Sequence, residues 1–265
     1  MKFTDSHCHL DFDVFDSNRH TLIKKCQSIG INRIIVPAAD PRNWKKILEL
    51  DKAKLEPQIF IHPCLGIHPW FVESLNAFYL DDLSALVKLH SNHLAAIGET
   101  GIDGVIAKKY NNLPKQITFF EFQLHLANTY KLPIIVHHQR SHNDIIQIIK
   151  KIKLVKPGVI HAFSGSYQQA TTYLDLGFKL GIGGTITYPR ATKTIDTIKR
   201  LPIDSFVLET DAPAMPLFKQ QGEVNNPTNI IKIFSRLCEL RTEPSETIGG
   251  AIEKNVEKIF NLSLN

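Results

Sequence analysis

Two histidines stand two positions apart near the start of the chain, in the segment DSHCHLD at residues 5–11. On a β-strand, His7 and His9 point to the same face and Cys8 points to the opposite one. Two imidazoles side by side are well placed to bind one divalent cation. Taken alone the pattern is a weak signal, because paired histidines also occur on surfaces or in ordinary hydrogen bonds. The alternation makes Cys8 a core residue rather than a ligand.

Polar side chains recur at the carboxyl ends of the predicted strands. A His, Glu or Asp on a strand buried on both faces is costly unless it is paired or bound to a cation. Counted from His9, four such residues follow at intervals of 90, 38, 24 and 50 residues: Glu99, His137, His161 and Asp211. These intervals are close to whole multiples of one strand–helix unit of about 33 residues. The spacing therefore predicts that these side chains meet at one end of a closed sheet, and it favours a metal site.

The donor types indicate a site for two divalent cations. Two histidines and one carboxylate would complete the protein ligands of one cation, and a second pair of histidines begins another site. Glu99 carries two oxygens and a negative charge, so it can bridge two cations that would otherwise repel each other. Two such ions about 3.5–4 Å apart can generate hydroxide near neutral pH and stabilise both the attacking and the leaving oxygen. Imidazole and carboxylate donors without thiolate suit zinc, manganese or iron, with magnesium possible at an oxygen-rich position.

Short apolar runs rich in β-branched residues alternate with longer amphipathic stretches along the whole chain. They predict strands at 3–9, 32–38, 59–66, 94–99, 133–138, 158–163, 178–183 and 205–210. Helices are predicted at 19–29, 41–53, 78–91, 114–131, 141–152, 167–176, 191–200 and 227–240, with a final helix at 245–260. Eight strands each followed by a helix indicate an α/β fold with a parallel sheet. Periodicity does not decide between an open sheet and a barrel, but polar residues at strand ends match the reactive face of a barrel.

Composition excludes several classes of protein. The chain has 265 residues, of which 43% are hydrophobic and 22% charged, which is typical of a globular protein rather than a disordered or fibrous one. No apolar run reaches the length of a membrane span, and the polar start has no signal-peptide pattern, so a cytoplasmic protein and no membrane partner are expected. No linker divides the sequence, which predicts one domain over 1–265. The net charge of +5 tolerates a polyanionic partner without requiring one, and the four scattered cysteines argue against a disulfide framework.

Several longer motifs occur in one order over nearly the whole length of the chain. The chain resembles the TatD-type metal-dependent hydrolases of the amidohydrolase superfamily, and within them the YjjV-like branch. The matching segments are DSHCHLD (5–11), GIHPW (66–70), GETGID (98–103), PIIVHHQRSH (133–142), GVIHAFSGS (158–166), GGTITYPRATKT (183–194), VLETDAPAMP (207–216) and the tail at 226–262.

The resemblance implies a distorted TIM (β/α)8 barrel with an extra C-terminal helix and a site for two divalent metal ions (Mg, Mn or Zn). By position, His7, His9 and Asp211 would bind the first ion. His137 and His161 would bind the second, and Glu99 would bridge the two. Asp211 is also the natural general base, because a carboxylate at the site can take a proton from the attacking water. Asp211 and Glu99 are therefore the predicted catalytic residues.

The same resemblance implies hydrolysis of ester bonds, with a deoxyribonuclease that removes nucleotides from the 3′ end of single-stranded DNA as the leading hypothesis. His68 and Arg140 are predicted to bind a substrate phosphate. Their alternatives are a loop-stabilising role for His68 and a surface salt bridge for Arg140. The alternative function is a small-molecule hydrolase that cleaves a lactone, amide or phosphoester. A protein that only binds metal or nucleic acid is a third possibility, and the oligomeric state stays open, with a monomer plausible.

Four further polar residues lie close to the predicted site in the sequence. Glu209 suits either a catalytic role or a hydrogen bond within the barrel, and Asp5 suits a partner that orients the ligands. Tyr188 and Arg190 follow the seventh strand, where they could stack on a base or contact the nucleic-acid backbone. Five further histidines have no partner in the spacing scheme and are predicted to have no role at the site: His62, His90, His93, His125 and His142.

Overall fold

Eight parallel strands form one sheet whose spatial order is the order of the sequence. The computed structural model describes residues 1–52 and 59–262, so the end of the helix predicted at 41–53 lies outside the described residues. The strands are β1 (Phe3–Asp5), β2 (Ile31–Pro37), β3 (Phe60–Leu65), β4 (Ala96–Asp103), β5 (Ile134–Gln139), β6 (Val159–Ile160), β7 (Lys179–Ile182) and β8 (Phe206–Leu208). All eight predicted strands are present, and several are shorter than predicted.

Backbone hydrogen bonds join the last strand to the first. The amide of Ser6 donates to the carbonyl of Leu208 over 2.9 Å, and the amide of His9 donates to the carbonyl of Ala212 over 2.8 Å. Cys8 and Ala212 also form a parallel bridge. The sheet therefore curls into a nearly closed barrel, which confirms the predicted TIM-barrel fold.

Ten α-helices surround the sheet in the part of the chain that the structure describes. They are α1 (Arg19–Ser28), α2 (Trp44–Lys52), α3 (Phe78–His90), α4 (Gly104–Tyr110), α5 (Leu113–Tyr130), α6 (His142–Ile152), α7 (Tyr167–Asp175), α8 (Thr192–Arg200), α9 (Ile230–Leu240) and α10 (Ser245–Phe260). Nine of them match predicted helices, and α10 is the predicted extra helix at the carboxyl end. No helix of residues 1–52 and 59–262 is both long and apolar enough to cross a membrane.

The fourth strand differs most from its predicted range. It was predicted to end at Glu99 and runs on to Asp103, and the unpredicted helix α4 follows it directly. The segment contains Gly98 and Gly101, which lower its apparent strand propensity. At Gly101 the backbone φ is +145°, and a Cβ atom would lie 2.1 Å from the carbonyl oxygen of His137. The glycine is therefore needed for the close approach of β4 to β5. Its low strand propensity also explains why the sequence pattern does not predict this part of the strand.

Apolar side chains fill the barrel directly beneath the polar strand ends. Ile135, Val159 and Val207 each precede an inward-facing polar residue by two positions, so they form the next layer down. This inner cluster comprises Ile35, Cys64, Ala95, Ala96, Ile135, Val159 and Val207 together with Val256 and Phe260 of α10. Cys8 belongs instead to the larger cluster between sheet and helices and is fully buried, which confirms its prediction as a core residue.

Helix α10 closes the end of the barrel where the strands begin. Glu253 accepts hydrogen bonds from the amide of Thr4 (2.7 Å), from the Thr4 hydroxyl (2.8 Å) and from the guanidinium of Arg33 (3.0 Å). Asn255 donates to the carbonyls of Asp204 and Phe206, each over 2.8 Å. One helix thus holds β1, β2 and β8 together, on the face opposite the polar strand ends.

Replacing Glu253 by alanine is expected to lower the free energy of unfolding by about 2–4 kcal/mol, because it leaves the buried amide of Thr4 without an acceptor and removes one of the two carboxylates that bind Arg33. Urea denaturation measures the loss. Glu246→Ala is the matched control on the same helix, since Glu246 is exposed and, among the described residues, its side chain bonds only to Ser245. Its expected change is within about 0.5 kcal/mol. Equal losses in the two variants would contradict the role given to Glu253.

Candidate metal centre

All six predicted ligands lie together at the carboxyl end of the barrel. His7 and His9 follow β1, His161 follows β6 and Asp211 follows β8, whereas Glu99 and His137 lie within β4 and β5. His137 is half-buried, and the others are buried. Side chains at the strand ends therefore converge as the spacing predicted, although the residues come from distant parts of the chain.

Four donor atoms form a compact group around one point. They are Nε2 of His7, Nε2 of His9, Oε2 of Glu99 and Oδ1 of Asp211. The five distances that involve a histidine nitrogen run from 3.1 to 3.6 Å. Two ligands of one tetrahedral zinc ion, bound at about 2.0–2.1 Å, lie about 3.3–3.4 Å apart, so these separations suit donors that share one cation.

Hydrogen bonding aims a histidine lone pair at this point. The second ring nitrogen of His9, Nδ1, lies 3.1 Å from the carbonyl oxygen of Pro37. Because a carbonyl only accepts, Nδ1 carries the proton and Nε2 faces Glu99 and Asp211. Burial opposes protonation of His9, but the hydrogen bond and charge of Glu99 and the charge of Asp211 raise its pKa to about 9. In the absence of a cation a proton thus offsets these carboxylates, and a bound cation would displace it.

Glu99 presents its two oxygens to different groups of donors. Oε2 faces His7 and His9, whereas Oε1 lies 3.1 Å from Nδ1 of His137 and 3.3 Å from Nε2 of His68. Burial by itself would raise the pKa of Glu99, but the neighbouring histidines, His68 and His7 foremost, hold it well below its usual range. A charged carboxylate therefore stands between two clusters of imidazoles, an arrangement in which it can bridge two cations.

His161 lies on the side of the first group. Its ring stacks on that of His7 with the centroids 3.5 Å apart, and its Nε2 lies 3.6 Å from Oδ1 of Asp211. Nδ1 lies 3.0 Å from Oε1 of Glu209. Burial opposes protonation of His161, but the charges of Glu209 and Asp211 raise its pKa to about 10. The donors that cluster with His137 are those of Glu99 and His68, so the pairing of His137 with His161 at one ion stays a prediction.

Asp103 is a site residue that the sequence reasoning missed. Its Oδ2 accepts a hydrogen bond from Nε1 of Trp70 over 2.7 Å and lies 3.4 Å from Nε2 of His137. A proton on that nitrogen leaves Nδ1 of His137 free to face Glu99. The other oxygen, Oδ1, caps α4 by accepting from the amides of Val105 and Ile106. The available signal was its place four residues after Glu99, in the segment GETGID.

His68 has partners for both of its ring nitrogens. Nδ1 accepts a hydrogen bond from the amide of Trp70 over 3.1 Å. In the neutral ring Nε2 therefore carries the proton, and it points at Oε1 of Glu99. His68 is buried, and burial lowers its pKa to about 4. His68 therefore contacts both the backbone of its own loop, at Trp70, and the predicted metal ligand Glu99.

Two further carboxylates hold the ligand-bearing segments in place. Asp5 is fully buried and accepts from the amides of His7 (3.3 Å) and Thr210 (2.9 Å), so it binds the backbone next to the ligands rather than an imidazole. Glu209 is fully buried and accepts from the amide of Ala162. A Cβ atom at Gly181 would lie 2.2 Å from Oε2 of Glu209, which explains why glycine stands at that position of β7.

The donor groups form the floor of a cavity of about 310 Å³. Aromatic and apolar side chains stand around it, among them Phe12, Trp70, Phe71, Ala214 and Met215. Trp70 is 57% exposed, although its indole N–H is fixed by Asp103. Arg140 is exposed at the end of β5 and does not line this cavity, so its contact with substrate stays a prediction.

Comparison with known proteins gives a consistent picture over the whole length. The family model described as TatD related DNase matches residues 4–261. Two relatives are each named an uncharacterized metal-dependent hydrolase. YjjV of Escherichia coli strain K12 is 38% identical over 261 residues, covering 98% of both chains. The Haemophilus influenzae protein is 37% identical over 265 residues, covering 98% of this chain and 100% of that one. The crystal structure of E. coli YjjV, a TatD homologue, matches with a TM-score of 0.92 over 98% of each chain. The chain therefore belongs to the TatD family and is one of its metal-dependent hydrolases.

Proposed function

We propose that the chain binds two divalent cations and hydrolyses phosphodiester bonds of DNA, removing nucleotides from a single-stranded 3′ end. The observation that carries the proposal is the position of Glu99. Its two oxygens face different donor groups at distances of 3.1–3.4 Å. A buried carboxylate shared in this way suits a dinuclear hydrolase.

His7, His9, Glu99 and Asp211 would hold the first ion, and Glu99, His137 and His161 would hold the second. The first group supports this assignment through distances of 3.1–3.6 Å from its histidine nitrogens to its other donors, and its donors suit zinc, manganese or magnesium. When bound, the ions supply Lewis-acid activation of a water molecule and neutralise charge on the phosphate.

The chain's own residues position the substrate and handle its protons. Asp211 is the proposed base that takes the proton of the attacking water. His68 carries a proton on Nε2, which can be donated to an anionic oxygen, that of Glu99 or that of a substrate phosphate. Arg140 is proposed to contact the phosphate backbone from the end of β5, where a planar guanidinium can bind two oxygens at once.

A nucleic-acid substrate is supported by the rim of the cavity and by the family. Trp70 offers a fixed and largely exposed aromatic face beside His137, with the ring centroids 6.4 Å apart. Stacking on such a face holds a base without sequence preference. The family model that matches the chain is described as a DNase.

The second candidate is a small-molecule hydrolase of the same superfamily, which would cleave a lactone, an amide or a phosphoester. The observation that favours it is the cavity, because about 310 Å³ is at the lower end of volumes that enclose a small ligand. The predicted metal ligands would serve either substrate, so a comparison of turnover on DNA, esters and lactones is needed to separate the two candidate functions.

Metal content tests the shared role of Glu99. The protein, stripped with EDTA and reloaded with Zn²⁺ or Mn²⁺, is expected to retain two ions per chain. Glu99→Ala should retain one or none, because a bridging ligand is lost from both positions. Elemental analysis after gel filtration gives the ratio. Glu246→Ala, a change at an exposed acid on α10, should still bind two ions. Full occupancy in Glu99→Ala would contradict the bridge.

Cleavage tests the reaction. A 5′-labelled single-stranded oligonucleotide with Mn²⁺ or Mg²⁺ is expected to shorten from its 3′ end, and EDTA should stop the reaction. Glu99→Ala and Asp211→Asn should lower kcat/KM by about a thousandfold, because each removes a metal ligand and Asp211→Asn also removes the base. RNA, chromogenic esters and lactones complete the panel. Faster turnover of an ester or lactone than of DNA would favour the second candidate instead.

Trp70 tests the base-stacking part of the proposal. For the wild-type protein, an oligonucleotide with an intact 3′-terminal base should have a lower KM than one whose 3′-terminal nucleotide is abasic. Trp70→Ala is expected to reduce this advantage by about tenfold, because stacking of one base is worth about 1–3 kcal/mol. Trp70→Phe keeps an aromatic face and should retain most of the advantage. If alanine leaves the ratio of the two KM values unchanged, the indole does not hold the base.

A further inference from the structure

A second cavity adjoins the one above the metal ligands. It has a volume of about 460 Å³, and Ser164, Thr185 and Met215 line both cavities. The two spaces therefore form neighbouring compartments of one cleft. The second is bounded by the loop after β7 and the start of α8, with Arg190 and Tyr188 in its lining.

Arg190 is the charged residue of this lining, which contains no carboxylate. The chain has eight arginines, and six form ion pairs with carboxylates: Arg19, Arg33, Arg42, Arg200, Arg236 and Arg241. Among residues 1–52 and 59–262, no carboxylate pairs with Arg140 or Arg190. Both of these follow barrel strands on the face that carries the metal ligands. A guanidinium without a protein carboxylate at the mouth of a cleft is suited to an anionic ligand.

The ring of Tyr188 lies beside the exposed guanidinium of Arg190 and is itself held by two contacts. Its hydroxyl donates to the carbonyl of Pro216 over 2.7 Å, and its ring meets that of Phe218 edge to face with centroids 5.7 Å apart. The guanidinium carbon of Arg190 lies 5.2 Å from the centroid of the Tyr188 ring. A cation held over an aromatic face keeps its N–H edge free for a phosphate.

We propose that this second cavity binds the nucleotide on the 5′ side of the scissile phosphodiester, with Arg190 contacting the first phosphate beyond the bond that is cleaved. The proposal rests on the proposed DNA hydrolysis and extends it from one nucleotide to at least two. Ser164, Thr185 and Thr194 place hydroxyl groups in the lining, where they suit sugar and phosphate oxygens. The terminal nucleotide then occupies the cavity above the metal ligands, and the rest of the strand leaves through the second one.

Chain length gives a direct test. A dinucleotide without a terminal phosphate has only the scissile phosphodiester, whereas a trinucleotide adds the phosphate assigned to Arg190. In the wild-type protein the trinucleotide should have the higher kcat/KM, and Arg190→Ala should reduce the ratio of the two values by about tenfold through loss of one charged contact. Arg190→Lys should restore part of the ratio. Arg200→Ala is the matched control, because Arg200 also lies over a ring, that of Tyr167, but pairs with Asp196 outside the cleft.

Two further measurements distinguish failure of this inference from failure of the proposed function. Replacing the 5′ phosphodiester of the trinucleotide, the one assigned to Arg190, by an uncharged methylphosphonate should remove the advantage of the trinucleotide in the wild-type protein. In Arg190→Ala the same replacement should cause no further loss of kcat/KM. Binding of fluorescein-labelled (dT)10 in EDTA should weaken about tenfold in Arg190→Ala and stay constant in Arg200→Ala. Unchanged binding and an unchanged length ratio in Arg190→Ala would overturn the subsite. Absence of any cleavage, with binding still dependent on Arg190, would overturn only the proposed reaction.

Discussion

The structure depends on the crowding of electron-rich atoms around Glu99. Its two oxygens and the nitrogens of His7, His9 and His137 approach one another to 3.1–3.4 Å in a buried space. Lone pairs at such distances repel each other unless a cation or shared protons lie between them, and burial prevents water from screening the repulsion. A protein that keeps these atoms together must either bind cations there or redistribute protons, and the opposite pKa shifts of His9 and His7 are the second response.

The rest of the barrel supplies the rigidity that this crowding demands. Beneath the polar layer lies an apolar layer with Val256 and Phe260 of α10, so the predicted ligands cannot move inward without displacing packed side chains. At the level of the predicted ligands, hydrogen-bond acceptors hold two of the rings, because the carbonyl of Pro37 faces His9 and Asp103 faces His137. The carboxylate of Glu209 lies 3.0 Å from Nδ1 of His161. Each one favours the tautomer whose lone pair points towards the centre. At the opposite end of the barrel, Glu253 joins β1 to β2, the strands that lead to His7, His9 and Pro37.

Much of this arrangement could be predicted because it follows from one-dimensional regularities. The strand–helix repeat placed His7, His9, Glu99, His137, His161 and Asp211 at the same end of the barrel, and strand alternation separated Cys8 from its neighbours. The extension of β4 to Asp103 could not be predicted, because it depends on the close approach of Gly101 to the backbone of another strand. The grouping of His68 with His137 and the stacking of His161 on His7 depend on loop paths and ring rotations. Those are set by contacts between distant segments, which no local pattern encodes.

Arg140 and Arg190, which have no carboxylate partner in the part of the chain that the structure describes, illustrate what residue spacing alone leaves open. Arg140 and Arg190 both follow strands at the reactive face, and the sequence gives no reason to separate them. In the structure, Arg140 projects from the end of β5 without lining a cavity next to the ligands, whereas Arg190 lines the compartment that adjoins them. Both side chains are exposed. A surface cation such as Arg140 mainly attracts a polyanion and is screened by salt, whereas Arg190, over the ring of Tyr188, lies where it can contact one phosphate near the reacting bond. The same residue type would thus attract DNA in general at Arg140 and contact one particular phosphate at Arg190.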